Sequence, residues 1–271
     1  MQSHLALREI SGTRNKGVQV LLAIKPNRKT VIFVHGFSGD AVETWSDFHI
    51  LLPAKPISEG RDLFFFGYDG LRVGMIPSAT IFRNFLTRLL DQTDQFLNTN
   101  LPESAKRPLG FRYDEVTIVA HSLGAVVARR ALLDATRKSE PWVANIKLVL
   151  FAPAHKGAKL AELALEAASA FSFMRLFSAY AKYKSPLIAE LLPTSPQLAA
   201  LLIETTNACA NGACDHLVAK MVIIAEYDDV VNPDTFANDP PPEIIPDSTH
   251  TSVCKPRKDF QLPLEFLERC L

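Results

Sequence analysis

The serine in VAHSLGAVVARR, residues 119–130, stands between a run of β-branched residues and an amphipathic stretch. Such a serine either caps the following helix, with Gly124 relaxing the bend, or is a nucleophile held at a strained turn. A serine hydroxyl is a weak nucleophile at neutral pH, so the second interpretation requires an imidazole base and a carboxylate that orients the base. The rest of the sequence must therefore supply both.

Seven histidines compete for the role of base: His4, His35, His49, His121, His155, His216 and His250. His4 falls in a predicted N-terminal tail and His49 in the segment WSDFHILLP, so both are expected to pack or to lie on the surface. His35 and His121 each precede a candidate site residue, and strand alternation turns their side chains away from a reacting atom. We expect these two to support neighbouring loops.

The hydrophobic pattern predicts the elements that must position these residues. Nearly continuous β-rich runs, typical of strands covered on both faces, alternate with stretches of helical periodicity. Strands are predicted over 18–24, 30–36, 62–68, 115–122, 146–154, 220–228 and 242–247, and helices over 81–99, 124–138 and 262–271. This alternation predicts a single α/β domain over 1–271, with a doubly wound, mostly parallel sheet and helices on both faces.

The carboxyl ends of the predicted strands carry the residues that could do chemistry. They read VHGF, AHSLG, APAHKGA and EYDD, and STH follows the last strand. Over residues 28–270 these motifs resemble the α/β-hydrolase fold, and more narrowly its lipase and serine-esterase branch, including esterases akin to the inositol-deacylase and serine-active-site-containing groups. One departure is Ala120, where the usual GxSxG elbow has its first glycine; a methyl group is expected to fit there.

The resemblance implies a catalytic set in the order serine, acid, histidine. Ser122 is the expected nucleophile, and His250, in the matching context HTSVCKP, is the expected base. The register of AEYDDVVNP selects Asp228 as the acid, with Asp229 as the alternative. The alternative is that the two aspartates only belong to a solvated turn at the end of the strand.

The resemblance also implies an oxyanion hole and a pocket wall. The backbone N–H groups of Phe37 and Leu123 are the expected donors, and the N-terminus of the helix that begins at Leu123 adds its positive dipole end. Gly36 and Gly39 are expected to let the backbone approach the substrate. His155 in APAHKGA is similar to a lipase segment that shapes the pocket wall. The mechanism implies no cofactor and no metal.

A long insertion is predicted at 158–206. Within it, residues 159–184 have a helical pattern whose apolar residues, Phe173 and Phe177 among them, cover well over half of the circumference. Such a helix either packs on the core or forms a cap that meets an acyl chain and makes transient contact with a membrane interface.

Composition excludes some partners. Lys and Arg balance Asp and Glu at 29 each, so no bulk charge attracts nucleic acid. No signal peptide or membrane-spanning run is evident, which leads us to expect a cytoplasmic protein without an obligate partner. The four cysteines are expected to be free thiols; the alternatives are that Cys209 and Cys214 in CANGAC close a loop or join His216 at a metal.

The sequence therefore predicts a serine hydrolase that acts on a small-molecule or lipid ester with an apolar acyl group. A thioesterase or amidase would use the same residues. An interaction module that retains the fold without turnover is the alternative from another class.

Overall fold

The hydrophobic runs of the sequence form the strands of one sheet in the computed structural model, which describes residues 4–11, 17–70, 72–159, 190–212 and 214–271. The strands are β1 (Arg8–Ser11), β2 (Val18–Leu21), β3 (Lys29–Val34), β4 (Asp62–Phe66), β5 (Glu115–His121), β6 (Ile146–Phe151), β7 (Ala219–Tyr227) and β8 (Glu243–Thr249). The α-helices among these residues are α1 (Phe48–Leu51), α2 (Met75–Asp91), α3 (Thr93–Asn100), α4 (Leu123–Arg137), α5 (Pro196–Ala210) and α6 (Leu262–Glu268). Short 3-10 helices cover Glu43–Trp45, Leu52–Ala54, Pro56–Ser58, Glu103–Ala105 and Pro141–Asn145.

The sheet is mostly parallel, as the sequence predicts. Its strand order is β1-β2-β4-β3-β5-β6-β7-β8. The pairs β1–β2 and β2–β4 are antiparallel, and every other pair is parallel. The four-residue β1 was not predicted, and the segment before it is not a free tail, because His4 is buried and bonds to the Arg61 carbonyl at 2.7 Å.

The strand order creates a crevice at the centre of the sheet. β3 pairs with β4 on one side and with β5 on the other, so the chain crosses over between its second and third parallel strands. Ligands of open α/β sheets bind beyond the carboxyl ends of the strands at such a switch point. The loop after β3 and the turn after β5 therefore meet where chemistry is expected.

Alternating phenylalanines build the core on the two faces of the sheet. Phe65 stacks on Phe33 of the neighbouring strand, with ring centroids 4.8 Å apart. Phe66, which points to the opposite face, packs against Phe82 of α2 at 4.8 Å. The aromatic contacts on both faces hold the central strands, and with them the strand ends, in a fixed position.

The predicted helix over 81–99 is two helices. α2 begins at Met75 and ends at Asp91, and α3 begins at Thr93. Between them Gln92 has φ −130° and ψ 42°, which is outside the helical region. No helix in the described part of the chain is long and apolar enough to span a membrane.

The predicted insertion is described only at its two ends, because residues 160–189, which hold most of the predicted helix over 159–184, lie outside the described residues. The Lys159 N–H donates to the Val230 carbonyl at 2.8 Å, and the Ala158 N–H donates to the Leu191 carbonyl at 2.9 Å. Farther on, α5 lies along α4, with Glu204 between Arg130 and Arg137.

Candidate active site

Ser122 occupies a strained turn between β5 and α4. Its backbone has φ 53° and ψ −122°, a conformation that side chains rarely adopt. The turn is held by the Ser122 N–H, which donates to the Phe151 carbonyl at 3.0 Å, and by the Ser122 carbonyl, which accepts from the Ala154 N–H at 3.2 Å. The Ser122 side chain makes no capping hydrogen bond to α4. The helix-cap interpretation of this serine is therefore wrong.

Two glycines allow the segments around Ser122 to come together. A Cβ on Gly124 would lie 2.3 Å from the Val34 carbonyl oxygen and 2.4 Å from that of His35, so α4 packs directly on the end of β3 only because the side chain is missing. A Cβ on Gly36 would lie 2.9 Å from Ser122 Cβ. Gly36 was predicted to admit substrate, but its small size is required first by contact with Ser122 itself.

His250 lies between Ser122 and Asp228. His250 Nε2 is 3.0 Å from Ser122 Oγ, and His250 Nδ1 is 3.0 Å from Asp228 Oδ2 and 3.2 Å from Oδ1. These partners assign the proton of the neutral ring to Nδ1 and leave Nε2 to accept from the serine hydroxyl. His250 is 1% exposed and Ser122 2% exposed, so the two groups are largely shielded from water.

Asp228, not Asp229, is the carboxylate that reaches His250. Asp228 Oδ1 also accepts the N–H groups of Val230 and Val231, both at 3.0 Å, whereas Asp229 is exposed. Burial acts to raise the pKa of the Asp228 carboxyl, but the bond and charge of His250 together with the two N–H groups lower the pKa overall. Asp228 therefore remains an acceptor that fixes the His250 ring.

The two expected oxyanion donors lie next to Ser122 in space. Leu123 is the first residue of α4, so its N–H has no acceptor carbonyl within the helix. Phe37 follows Gly36, which contacts Ser122, and its N–H donates to no other described residue. These two N–H groups and the positive end of the α4 dipole stay the predicted donors to an oxyanion at Ser122.

His35 and His121 hold the loops of the site, in agreement with the sequence. The His121 Nε2–H donates to the His250 carbonyl oxygen at 2.9 Å, and His35 accepts the Tyr68 N–H at 3.1 Å. Burial lowers the pKa of His35 to about 4, and burial and the charge of His250 lower that of His121 to about 3. Both rings are therefore neutral at neutral pH.

His155 takes no part in the hydrogen bonds at Ser122, and its role in the pocket wall stays a prediction. Its Nε2 accepts from Arg129 Nε at 3.1 Å, and its ring stacks on Phe236. Arg129 is fully buried and pairs with Asp239 at 2.5 Å. His155 therefore accepts a hydrogen bond from the buried guanidinium of Arg129. The same guanidinium links α4 to the loop that follows Asp228.

Some site residues were not identified from the sequence. The N–H groups of Val230 and Val231 orient Asp228, and an aspartate that bonds to the backbone two residues later is a recognised turn signal that favours Asp228 over Asp229. Tyr68, whose hydroxyl donates to the His35 carbonyl at 3.0 Å, had no local signal.

The cysteines and His216 form no disulfide or metal site among the described residues. Cys209, Cys214, Cys254 and Cys270 are all free thiols, as predicted. Within the described ranges, no group of three or more His, Cys, Asp or Glu side chains is arranged to hold a metal ion. His216, proposed with the cysteines as a ligand, bonds instead to Thr136 Oγ1 at 2.6 Å.

Known structures share this arrangement of elements, although no protein-family model and no curated protein matches the sequence. Lipase BlEst2 of Bacillus licheniformis, in its mature form, gives a TM-score of 0.53 at 14% identity, over 90% of this chain and 91% of that one. The peroxisomal α/β-hydrolase Lpx1 of Saccharomyces cerevisiae gives 0.55 at 11% identity, over 99% and 82%. A monoacylglycerol lipase of Paleococcus ferrophilus gives 0.51 at 14% identity, over 98% and 96%.

Proposed function

We propose that this chain, whose fold is that of the α/β-hydrolases, is a serine hydrolase that cleaves carboxylic esters through a covalent acyl-enzyme. The observation that carries the proposal is the hydrogen-bonded series from Asp228 through His250 to Ser122 at the strained turn. A serine without a catalytic role does not need a buried imidazole that is itself fixed by a carboxylate. Acyl transfer needs all three groups.

The reaction follows from the atoms of the site. Ser122 Oγ attacks the ester carbonyl while His250 Nε2 takes its proton, and Asp228 stabilises the imidazolium that forms. The N–H groups of Phe37 and Leu123 donate to the oxyanion. His250 then returns the proton to the leaving alcohol, and a water molecule, activated in the same way, releases the acid and regenerates Ser122.

An apolar acyl group is part of the proposal. The apolar sequence over 159–184, of which residues 160–184 lie outside the described residues, supports it, as does the presence of lipases among the structural neighbours. Each methylene that the protein buries would add up to about 0.8 kcal/mol to binding. Measuring kcat/KM for para-nitrophenyl esters from acetate to palmitate determines whether specificity rises with chain length and where it stops.

Labelling with a fluorophosphonate probe tests the nucleophile directly. The purified protein is expected to be labelled, and Ser122→Ala to lose both labelling and ester turnover, the latter by roughly 10⁴-fold or more. Ser139→Ala is the matched control, because Ser139 has the same φ of 53° at the far end of α4. It is expected to behave as the wild type.

The results of labelling and turnover distinguish an esterase from the alternative functions. A folded protein that is never labelled is an interaction module and not an enzyme. A labelled protein that cleaves the thioester or anilide of the same acid faster than the ester is a thioesterase or an amidase. Near-normal turnover by Ser122→Ala would refute the mechanism.

A further inference from the structure

A cavity of about 150 Å³ borders the proposed active site. It is lined on one side by Gly36, Phe37 and His121, and Gly36 is in turn in contact with Ser122. A cavity of this volume binds a benzene-sized molecule in other proteins. The segment that contacts Ser122 therefore also forms part of the cavity wall.

Lys255 gives the wall of this cavity a positive charge. Its side chain is half-buried, and in the described part of the chain no carboxylate forms an ion pair with it. Lys255 and Thr251 follow His250 in the same short segment, and the Lys255 charge is near enough to act on His121, whose pKa is lowered mainly by burial. Lys255 therefore places a positive charge at the cavity wall, in the segment that follows His250.

Two carboxylates also line the cavity, but neither neutralises Lys255. Asp40 Oδ1 accepts the N–H groups of Val42 and Glu43, at 2.9 and 3.0 Å, so its charge is held by its own loop. Glu43 is exposed, so water screens its charge. A partly buried ammonium without a partner retains the capacity to bind an anion.

We propose that Lys255 selects esters that carry an anionic group, such as a carboxylate, sulfonate or phosphate, a few carbon atoms from the scissile bond. The anion would occupy the cavity beside Phe37 and accept a charge-assisted hydrogen bond from Lys255 Nζ. This inference rests on the proposed esterase function and adds the charge of its substrate. The anion belongs either to the acyl part or to the leaving alcohol, and the two sources are separable by experiment.

Two pairs of esters serve as probes. The acyl-side pair is para-nitrophenyl hydrogen adipate and para-nitrophenyl heptanoate, which differ in the charge at the end of the chain. The alcohol-side pair is para-acetoxybenzoate and para-acetoxybenzamide, which differ in the charge of the leaving group. For each pair, the ratio of kcat/KM for the anionic to the neutral ester is compared between wild type and variants, so that intrinsic reactivity cancels.

Lys255→Met is expected to lower this ratio about tenfold or more for one of the pairs, and that pair identifies the side that carries the anion. Lys255→Arg, which keeps the charge, is expected to restore most of the ratio. Lys258→Met, in the same segment but exposed, is the matched control and is expected to leave both ratios unchanged. If Lys255→Met does not fold, Lys255→Gln takes its place.

These measurements distinguish a failure of the inference about the anion from a failure of the proposed esterase function. If wild type hydrolyses the neutral esters through Ser122 but neither ratio responds to Lys255→Met or Lys255→Gln, the inference about the anion is wrong and the esterase function stands. If wild type hydrolyses none of the four esters and resists the fluorophosphonate probe, both proposals are wrong.

Discussion

The substitution Asp228→Asn tests the proposed site most sharply, because the loop dictates how the new amide must lie. Asp228 Oδ1 accepts the N–H groups of Val230 and Val231, both at 3.0 Å. Only the amide oxygen of an asparagine accepts such bonds, so its NH₂ group must lie where Oδ2 is now, 3.0 Å from His250 Nδ1. Since an NH₂ group donates, Nδ1 becomes the acceptor and the ring proton moves to Nε2.

A His250 ring with its proton on Nε2 does not accept the proton of Ser122 Oγ. We expect kcat/KM for a short-chain ester to fall by about 10⁴, which corresponds to about 5 kcal/mol of transition-state stabilisation. The two turn bonds to the new amide oxygen survive, so the melting temperature is expected to change little. Ester hydrolysis and thermal unfolding are measured on the same preparation.

Asp229→Asn is the matched control, since Asp229 is the next residue, has the same charge and is exposed. It is expected to change activity less than twofold. A loss below tenfold for Asp228→Asn, or an equal loss for the two variants, would show that Asp228 does not set the tautomer of His250. A large loss accompanied by a lowered melting temperature would instead assign Asp228 a structural role.

Two further predictions concern stability. Gly124→Ala is expected to lower the free energy of unfolding by about 3 kcal/mol or more, measured in urea, because its Cβ would lie 2.3 and 2.4 Å from the backbone oxygens of Val34 and His35. Acid is also expected to destabilise the protein through His35, His121 and His155, since burial lowers the pKa of all three below the ordinary value. Between about pH 6 and pH 4 the unfolded chain binds up to three more protons than the native state, so the free energy of unfolding falls by up to about 4 kcal/mol for each pH unit lost.

Each stability prediction has a control. Gly110→Ala, at φ 78° with open space around it, is expected to cost only about 1 kcal/mol. An equally mild effect of Gly124→Ala would mean that α4 can move away from β3. His121→Gln is expected to reduce the pH slope by about 1.4 kcal/mol per unit, and an unchanged slope would contradict the assignment of this ring as neutral.

The central strands and the site residues were predictable because their signals are local. Continuous apolar runs mark buried parallel strands, and Ser122 and Asp228 each follow one of them. His250 follows the mostly exposed β8, and it was identified by the resemblance of its context HTSVCKP. The break at Gln92 was not predictable, because the apolar periodicity continues across it. β1 was missed because REIS has no alternation of its own and forms a strand only by pairing with β2.

Contacts between segments that are distant in the sequence could not be predicted from local sequence patterns. Arg129 and Asp239 are 110 positions apart, and nothing near either residue indicates that the other is its partner. The contact of Gly36 with Ser122 was not predictable for a similar reason, since the atom that excludes a side chain there belongs to the turn after β5. Local patterns specify elements and their ends, whereas these contacts depend on how the sheet is ordered.

The backbone of Ser122 has a consequence for the evolution of stability in this protein. A residue held at φ 53° and ψ −122° costs about 1–3 kcal/mol, while a whole domain is stable by about 5–15 kcal/mol. Glycine adopts that conformation without strain, so the chain with glycine at position 122 would be the more stable one. A search for thermostable variants that ignores activity would therefore favour Ser122→Gly, and with it a protein that has lost its nucleophile.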